Sequence, residues 1–167
     1  YASRIAKKKY PNAKVVFIGP CIAKRKEAQR DECVDYVITF EELHSIFRGF
    51  GIELAQANPY KVAYESVCEA HGFAQAGGVA GAVKAYLGPK ADGIKMLQFS
   101  DFNKKSIGQM RAWAKTGKVD AQFIEMMACE GGCVTGPSAY NDSVSGKRQL
   151  NQDLLKRTLK YENYKEQ

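Results

Sequence analysis

Residues 121–137 read AQFIEMMACEGGCVTGP: a short apolar run stops at Cys129, passes two glycines and presents Cys133. A brief apolar run bounded by turn residues is the mark of a strand buried inside a parallel sheet. It is the last of four such runs. KVVFIG (14–19), bounded by Asn12 and Pro20, reads as a fully buried first strand, followed by VDYVITF (34–40) and IKMLQF (94–99). Helical patterns separate them. EELHSIFRGFG follows the second strand, with Thr39 and Glu42 placed for a capping box and Gly49 or Gly51 as the stop. GGVAGAVKAYLG (77–88) opens on glycines and closes on Gly88-Pro89. DFNKKSIGQMRAWAKTG (101–117) puts Ile107, Met110, Trp113 and Ala114 on one face. The tail from about Gln149 is a polar helix whose apolar side is Leu150, Leu154, Leu155 and Leu159. This alternation predicts an α/β fold: a roughly four-stranded, mostly parallel sheet with helices on both faces, in one domain spanning residues 1–167.

Composition narrows the function classes. The 167 residues are 45% hydrophobic and 26% charged, a balance that supports a packed core. No apolar run approaches the roughly 20 residues that span a bilayer, and the N-terminus carries a basic patch without an apolar segment behind it. The chain starts without Met, on what reads as the end of a helix, so it is expected to be a fragment of something larger. The net charge of +7 is spread over Lys7–Lys9, Lys24–Lys26, Lys104–Lys105 and the tail. No recognition helix or aromatic platform accompanies it, so neither nucleic acid nor membrane is an expected partner. Part of the charge suits the docking of an acidic electron carrier. Five cysteines, an odd number without dense spacing, point to a reducing cytoplasm rather than a disulfide scaffold.

The topology gives three of those cysteines a common address. Cys21 follows the first strand through Gly19-Pro20, and Cys129 follows the fourth, with Cys133 in the same loop. Open α/β sheets bind their ligands at the carboxyl ends of the strands. Soft thiolates select iron–sulfur clusters, zinc or copper, yet C-x-x-x-C is neither a zinc-ribbon nor a bacterial ferredoxin spacing. Spacing alone leaves core thiols and ligands both open. Gly131 and Gly132 favour ligands, because glycines let backbone approach a bulky anionic group.

FIGPCIAKRKEA (17–28) and FIEMMACEGGCVTGP (123–137) together resemble the second and third cluster motifs of the iron-only (di-iron) hydrogenases, written approximately M-P-C-x-x-K-x-x-E and E-x-M-A-C-x-x-G-C-x-x-G. VDYVITFEEL and GFAQAGGVAGAV are similar to the family's intervening segments, so the likeness covers most of residues 14–137. The resemblance implies that Cys21 and Cys129 each bind one iron of a 4Fe–4S cubane, and that Cys133 binds a third and bridges to a di-iron subsite for reversible proton reduction. It implies that Lys24 donates a hydrogen bond to an anionic ligand of that subsite and that Glu27 belongs to a proton path. Met127 and Phe73 would line the apolar pocket, and Gly131 and Gly132 would bring backbone to the cofactor. Three departures stand out: Gly19 replaces a methionine, Glu130 a proline, and Thr135-Gly136-Pro137 a glycine run. They resemble the divergent, sensory branch of the family. The family's T-S-C-C-P motif, which supplies the fourth cubane cysteine, is absent, so an upstream domain of the same chain is the expected partner, with a ferredoxin-like carrier as a second. The fragment alone is expected to be inactive and to lack the assembled cofactor.

The other candidates have plainer readings. Cys33 and Cys68 match no ligand motif, and a zinc site at Cys68 with His71 lacks two further ligands. His44 reads as a surface histidine. GGVAG (77–81) lacks the full dinucleotide fingerprint, although its glycines could aim a helix N-terminus at an anionic cluster. Beside the enzyme stand two alternatives: a cluster-binding hydrogen or redox sensor module, and an iron–sulfur electron-transfer or scaffold domain. If the three cysteines are ligands, their sulfurs should face one cavity, within roughly 6–7 Å of each other for Fe–S bonds near 2.3 Å.

Overall fold

Val16–Ile18 (β1) and Tyr36–Ile38 (β2) pair in parallel, Val16 opposite Tyr36 and Ile18 opposite Ile38. The Gly19 N–H continues the ladder, donating to Ile38 O at 3.1 Å. The computed structural model describes residues 1–60 and 66–161. They fall into two compact units, Tyr1–Tyr60 with Gly136–Tyr140, and residues 66–135 with 141–161.

In the first unit, helix α1 (Ala2–Lys9) precedes β1, α2 (Ala23–Ala28) connects the two strands and packs against β2, and α3 (Phe40–Gly49) follows. Asp35, at the head of β2, gathers three donors: Lys7 Nζ at 2.6 Å, Val15 N at 2.7 Å and Lys14 Nζ at 3.2 Å. The Lys7 bond and then the Val15 N–H hold its carboxyl far below the ordinary range. α3 starts as its sequence predicts. Thr39 accepts from Glu42 N while the Glu42 carboxylate accepts from Thr39 N, completing the capping box. That backbone bond, with Arg25 alongside, keeps the Glu42 carboxyl below its usual value.

In the second unit, Met96–Ser100 (β3) and Phe123–Met127 (β4) pair in parallel through five residues, Met96 opposite Phe123 and Ser100 opposite Met127. α4 (Cys68–His71), α5 (Gly78–Leu87), α6 (Lys104–Thr116) and α7 (Ser143–Lys156) complete it. Asn103 caps α6 by accepting from Lys105 N and Ser106 N, and Gly117 ends it at φ 65°. Trp113 from the predicted apolar face of α6 meets Phe99 of β3 edge to face, centroids 5.4 Å apart.

The α/β class with parallel strands is as expected; three details differ. Among the described residues the strands form two two-stranded ladders, one in each unit, rather than one four-stranded sheet. β1 is not fully buried: Val16 and Ile18 keep 42% and 45% of their surface exposed, since one ladder partner and a six-residue helix cannot cover both faces. α7 begins at Ser143, ahead of Gln149, because Asp142 accepts from Val144 N and Ser145 N and so nucleates it early. That phase leaves Leu155 exposed, and Leu159 lies past the helix end, its carbonyl accepting from Cys68 N at 2.7 Å. Among the described residues no helix is long and apolar enough to cross a membrane.

Candidate metal centre

Parallel strands deliver both cysteine segments at their carboxyl ends. After β1, the chain turns through Gly19-Pro20 to Cys21, which is half-buried, and enters α2 directly. Lys24 N donates to Cys21 O at 3.3 Å, setting the first turn of that helix. Lys24 and Glu27 lie one turn apart and form an ion pair on the surface. The turn is pinned from outside the segment, where the Ser138 N–H donates to Pro20 O at 3.2 Å. Ser138 is buried, and residues 136–140 thereby carry the chain back from the second cysteine loop to the first unit.

After β4, the loop closes on itself. Gly132 N donates to Cys129 O at 3.0 Å, with Gly131 at φ 80° and Gly132 at φ 103°, conformations that glycine alone adopts without strain. Thr135 donates its hydroxyl to Glu130 O and, at 2.9 Å, to Gly132 O. Cys129 is half-buried and Cys133 exposed, at the start of a 3₁₀ turn (Cys133–Thr135).

A second strand of chain crosses this loop at close range. Ala76 N donates to Gly131 O at 3.0 Å, and a Cβ on Gly132 would stand 2.6 Å from Ala76 N and 2.7 Å from the Gln75 backbone. The crossing is fixed in turn by Glu125, on β4, whose carboxylate accepts from Gly77 N and Ala80 N at 2.7 Å each. Glu125 is only 5% exposed. The N-terminus of α5 therefore already holds an anion, the Glu125 carboxylate, in place of the cluster anticipated for it.

Cys129 and Cys133 thus share one braced loop, and Lys24 and Glu27 one helical turn. Cys21 lies in the other unit from Cys129 and Cys133. Among the described residues no three His, Cys, Asp or Glu side chains group as they would around a single metal ion. Met127 is half-buried at the end of β4, whereas Phe73 borders a separate apolar groove with Val67, Ala70, Val83 and Tyr86. Cys68 spends its thiol on Leu154 O at 3.4 Å, Cys33 N donates to Asp31, and His44 stacks on Tyr140 with centroids 4.8 Å apart. His71 Nε2 pairs with Ser66 Oγ at 2.6 Å.

The family model of the iron-only hydrogenase large subunit, C-terminal domain, matches residues 1–137, a span that contains all three cysteines. The chain belongs to this family. Three solved structures share its fold. One, of the FeFe-hydrogenase HydA(deltaEFG), concerns stepwise H-cluster assembly; it is 18% identical with TM-score 0.56, over 95% of this chain and 56% of that one. A second, concerned with oxygen inactivation through modification and degradation of the H-cluster 2Fe subcluster, is 21% identical with TM-score 0.57, over 95% and 58%. A variant of HydA1 from Chlamydomonas reinhardtii is 20% identical with TM-score 0.59, over 96% and 60%. The chain therefore spans less than two thirds of the length of these hydrogenases.

Two residues that position the cysteine segments, Glu125 for the second and Ser138 for the first, carry no motif of their own. Glu125 had a signal: a carboxylate inside the apolar run FIEMM must find a partner if the strand is buried. Ser138 had none, since a backbone N–H carries no side-chain signature.

Proposed function

We propose that this hydrogenase-family chain supplies Cys21, Cys129 and Cys133 as thiolate ligands to a 4Fe–4S cluster bridged to a di-iron subsite, in concert with an upstream domain of the same protein. The family match across residues 1–137, which takes in both cysteine segments, carries the reading. The chemistry of the donors agrees with it: soft thiols on short turns at strand ends, two of them in one braced loop. The sulfurs of a cubane stand farther apart than the ligands of one ion, about 6–7 Å, so the lack of a mononuclear site among the described residues is compatible with it. When bound, the group supplies reversible reduction of protons to hydrogen.

The remaining residues have roles suited to that group. The Lys24–Glu27 pair is exposed, and such pairs contribute little stability, so Lys24 can release Glu27 and donate to an anionic ligand at small cost. Glu27 then accepts and returns protons at the surface end of a path. Met127, at the end of β4, keeps water from the subsite. Gly19, Glu130 and the run Thr135-Gly136-Pro137 favour a second reading, a hydrogen or redox sensor, because they depart from what the resemblance expects around the pocket.

The test uses the full-length protein, reconstituted anaerobically with iron and sulfide. Serine at Cys21, Cys129 or Cys133 is expected to reduce bound iron and abolish the cubane's electron paramagnetic signal, while serine at Cys33 or Cys68 leaves both intact. Undiminished iron and signal in the first three variants would overturn the assignment. Hydrogen turnover by the loaded protein separates enzyme from sensor.

A further inference from the structure

Helix α7 lies beyond residues 1–137, the part of the chain that the family model matches, yet it bears directly on the loop of Cys129 and Cys133. Gly146 is buried at that contact. A Cβ there would stand 3.4 Å from Val134 O and 3.5 Å from Val134 Cγ2, so the helix backbone rests on the residue next to Cys133. One position on, Lys147 reaches over the loop, and its Nζ and Cε are the nearest atoms to the space a Cβ would fill on Gly131. Gly131 bares that face by lacking a side chain. The ammonium is thereby held against the middle of the loop, between the two cysteines. Lys147 is half-buried, and no ion pair joins it to Glu130 or to another carboxylate among the described residues.

We propose that Lys147 is an electrostatic partner of the cluster that Cys129 and Cys133 hold, a fixed cation supplied by α7 that raises the cluster's reduction potential. The inference rests on the ligand assignment above. Reduction adds an electron to a group that thiolates and sulfides have already made anionic. A cation at fixed distance stabilises the more negative state more strongly, in proportion to the added charge. Half-burial limits the screening that would erase this effect at an open surface. Glu130 adds a carboxylate to the same loop, and Lys147 offsets it without being consumed in a salt bridge.

The experiment is a spectroelectrochemical titration of the full-length protein, reconstituted with iron and sulfide, as wild type, Lys147→Met and Lys147→Arg. Methionine keeps most of the stem and removes the charge, and arginine keeps the charge. At a potential equal to the wild-type midpoint, the ratio of reduced to oxidised cluster is expected to fall about tenfold in Lys147→Met, which is a 59 mV lowering for a one-electron couple. Lys147→Arg and Lys156→Met, the latter in the last turn of α7, should stay within about threefold of wild type, since a charge kept near the loop or lost far from it changes little. Should Lys147→Met not fold, Lys147→Gln carries the same comparison. A loaded Lys147→Met protein with the wild-type midpoint overturns the inference alone. A wild type that takes up no cluster overturns the ligand assignment and the inference with it.

Discussion

Removing the carboxylate of Glu125 should loosen the cysteine loop from a distance. Glu125 accepts two backbone N–H bonds at 2.7 Å, from Gly77 and Ala80, and is almost wholly buried. Hydrogen bonds to a charged group contribute about 1.5–3 kcal/mol each, and stranding a buried donor costs about 1–3 kcal/mol. Glu125→Ala strands both donors, though the half-buried Gly77 can recruit water, so a local loss of about 3 kcal/mol follows. Glu125→Gln keeps one acceptor oxygen and turns an NH2 toward the other donor, for a loss of about 2 kcal/mol. Because 1.4 kcal/mol is tenfold, amide exchange at Ala80 should accelerate on the order of a hundredfold in Glu125→Ala and about thirtyfold in Glu125→Gln. Exchange at Ala76, bonded to Gly131, should rise with it, whereas the α6 amides stay protected. Hydrogen exchange resolved by residue is the assay. Unchanged exchange at Ala80 in Glu125→Ala would refute the reasoning, because it would mean that the two bonds hold nothing.

Gly132→Ala should be worse than an ordinary glycine substitution: φ is 103° and the new Cβ meets the Gln75–Ala76 backbone, which has no flexible end to move. A local destabilisation of about 2–4 kcal/mol is expected, seen as lost protection at Ala76 and faster proteolysis within residues 129–135. Asp35→Asn should change the acid limb of the stability curve. The folded carboxyl is depressed, chiefly by Lys7, so its contribution is full above the unfolded value near about 3.9 and fades as pH falls below it. The asparagine variant should be less stable than wild type at pH 7, with the difference shrinking below about pH 4 in a denaturant series. Trp113→Ala should cost about 2–4 kcal/mol by removing the ring that meets Phe99, read as a lower denaturation midpoint with little change in slope.

The sequence by itself determined most of the strands and helices and where the two cysteine segments fall among them. Apolar runs of strand length between helical periods give parallel pairing, and Thr39 with Glu42 states the start of α3 in four residues. Capping and periodicity are local, so local residues suffice to show them. The two cysteine segments were legible for the same reason: each is a strand end followed by a tight turn, and the family match confirms that both lie in a hydrogenase domain. Partnership was decided elsewhere. Which strands share a ladder, how far β1 is covered, that Glu125 reaches from β4 to the N-terminus of α5, and that Lys147 comes to rest on Gly131 all depend on residues distant in the chain. Such contacts carry no spacing rule, since they arise only when packing brings two surfaces together. Glu125 shows the border between the two kinds of information: its position inside an apolar strand announced that a partner must exist, and only the fold could say that the partners were the amides of Gly77 and Ala80.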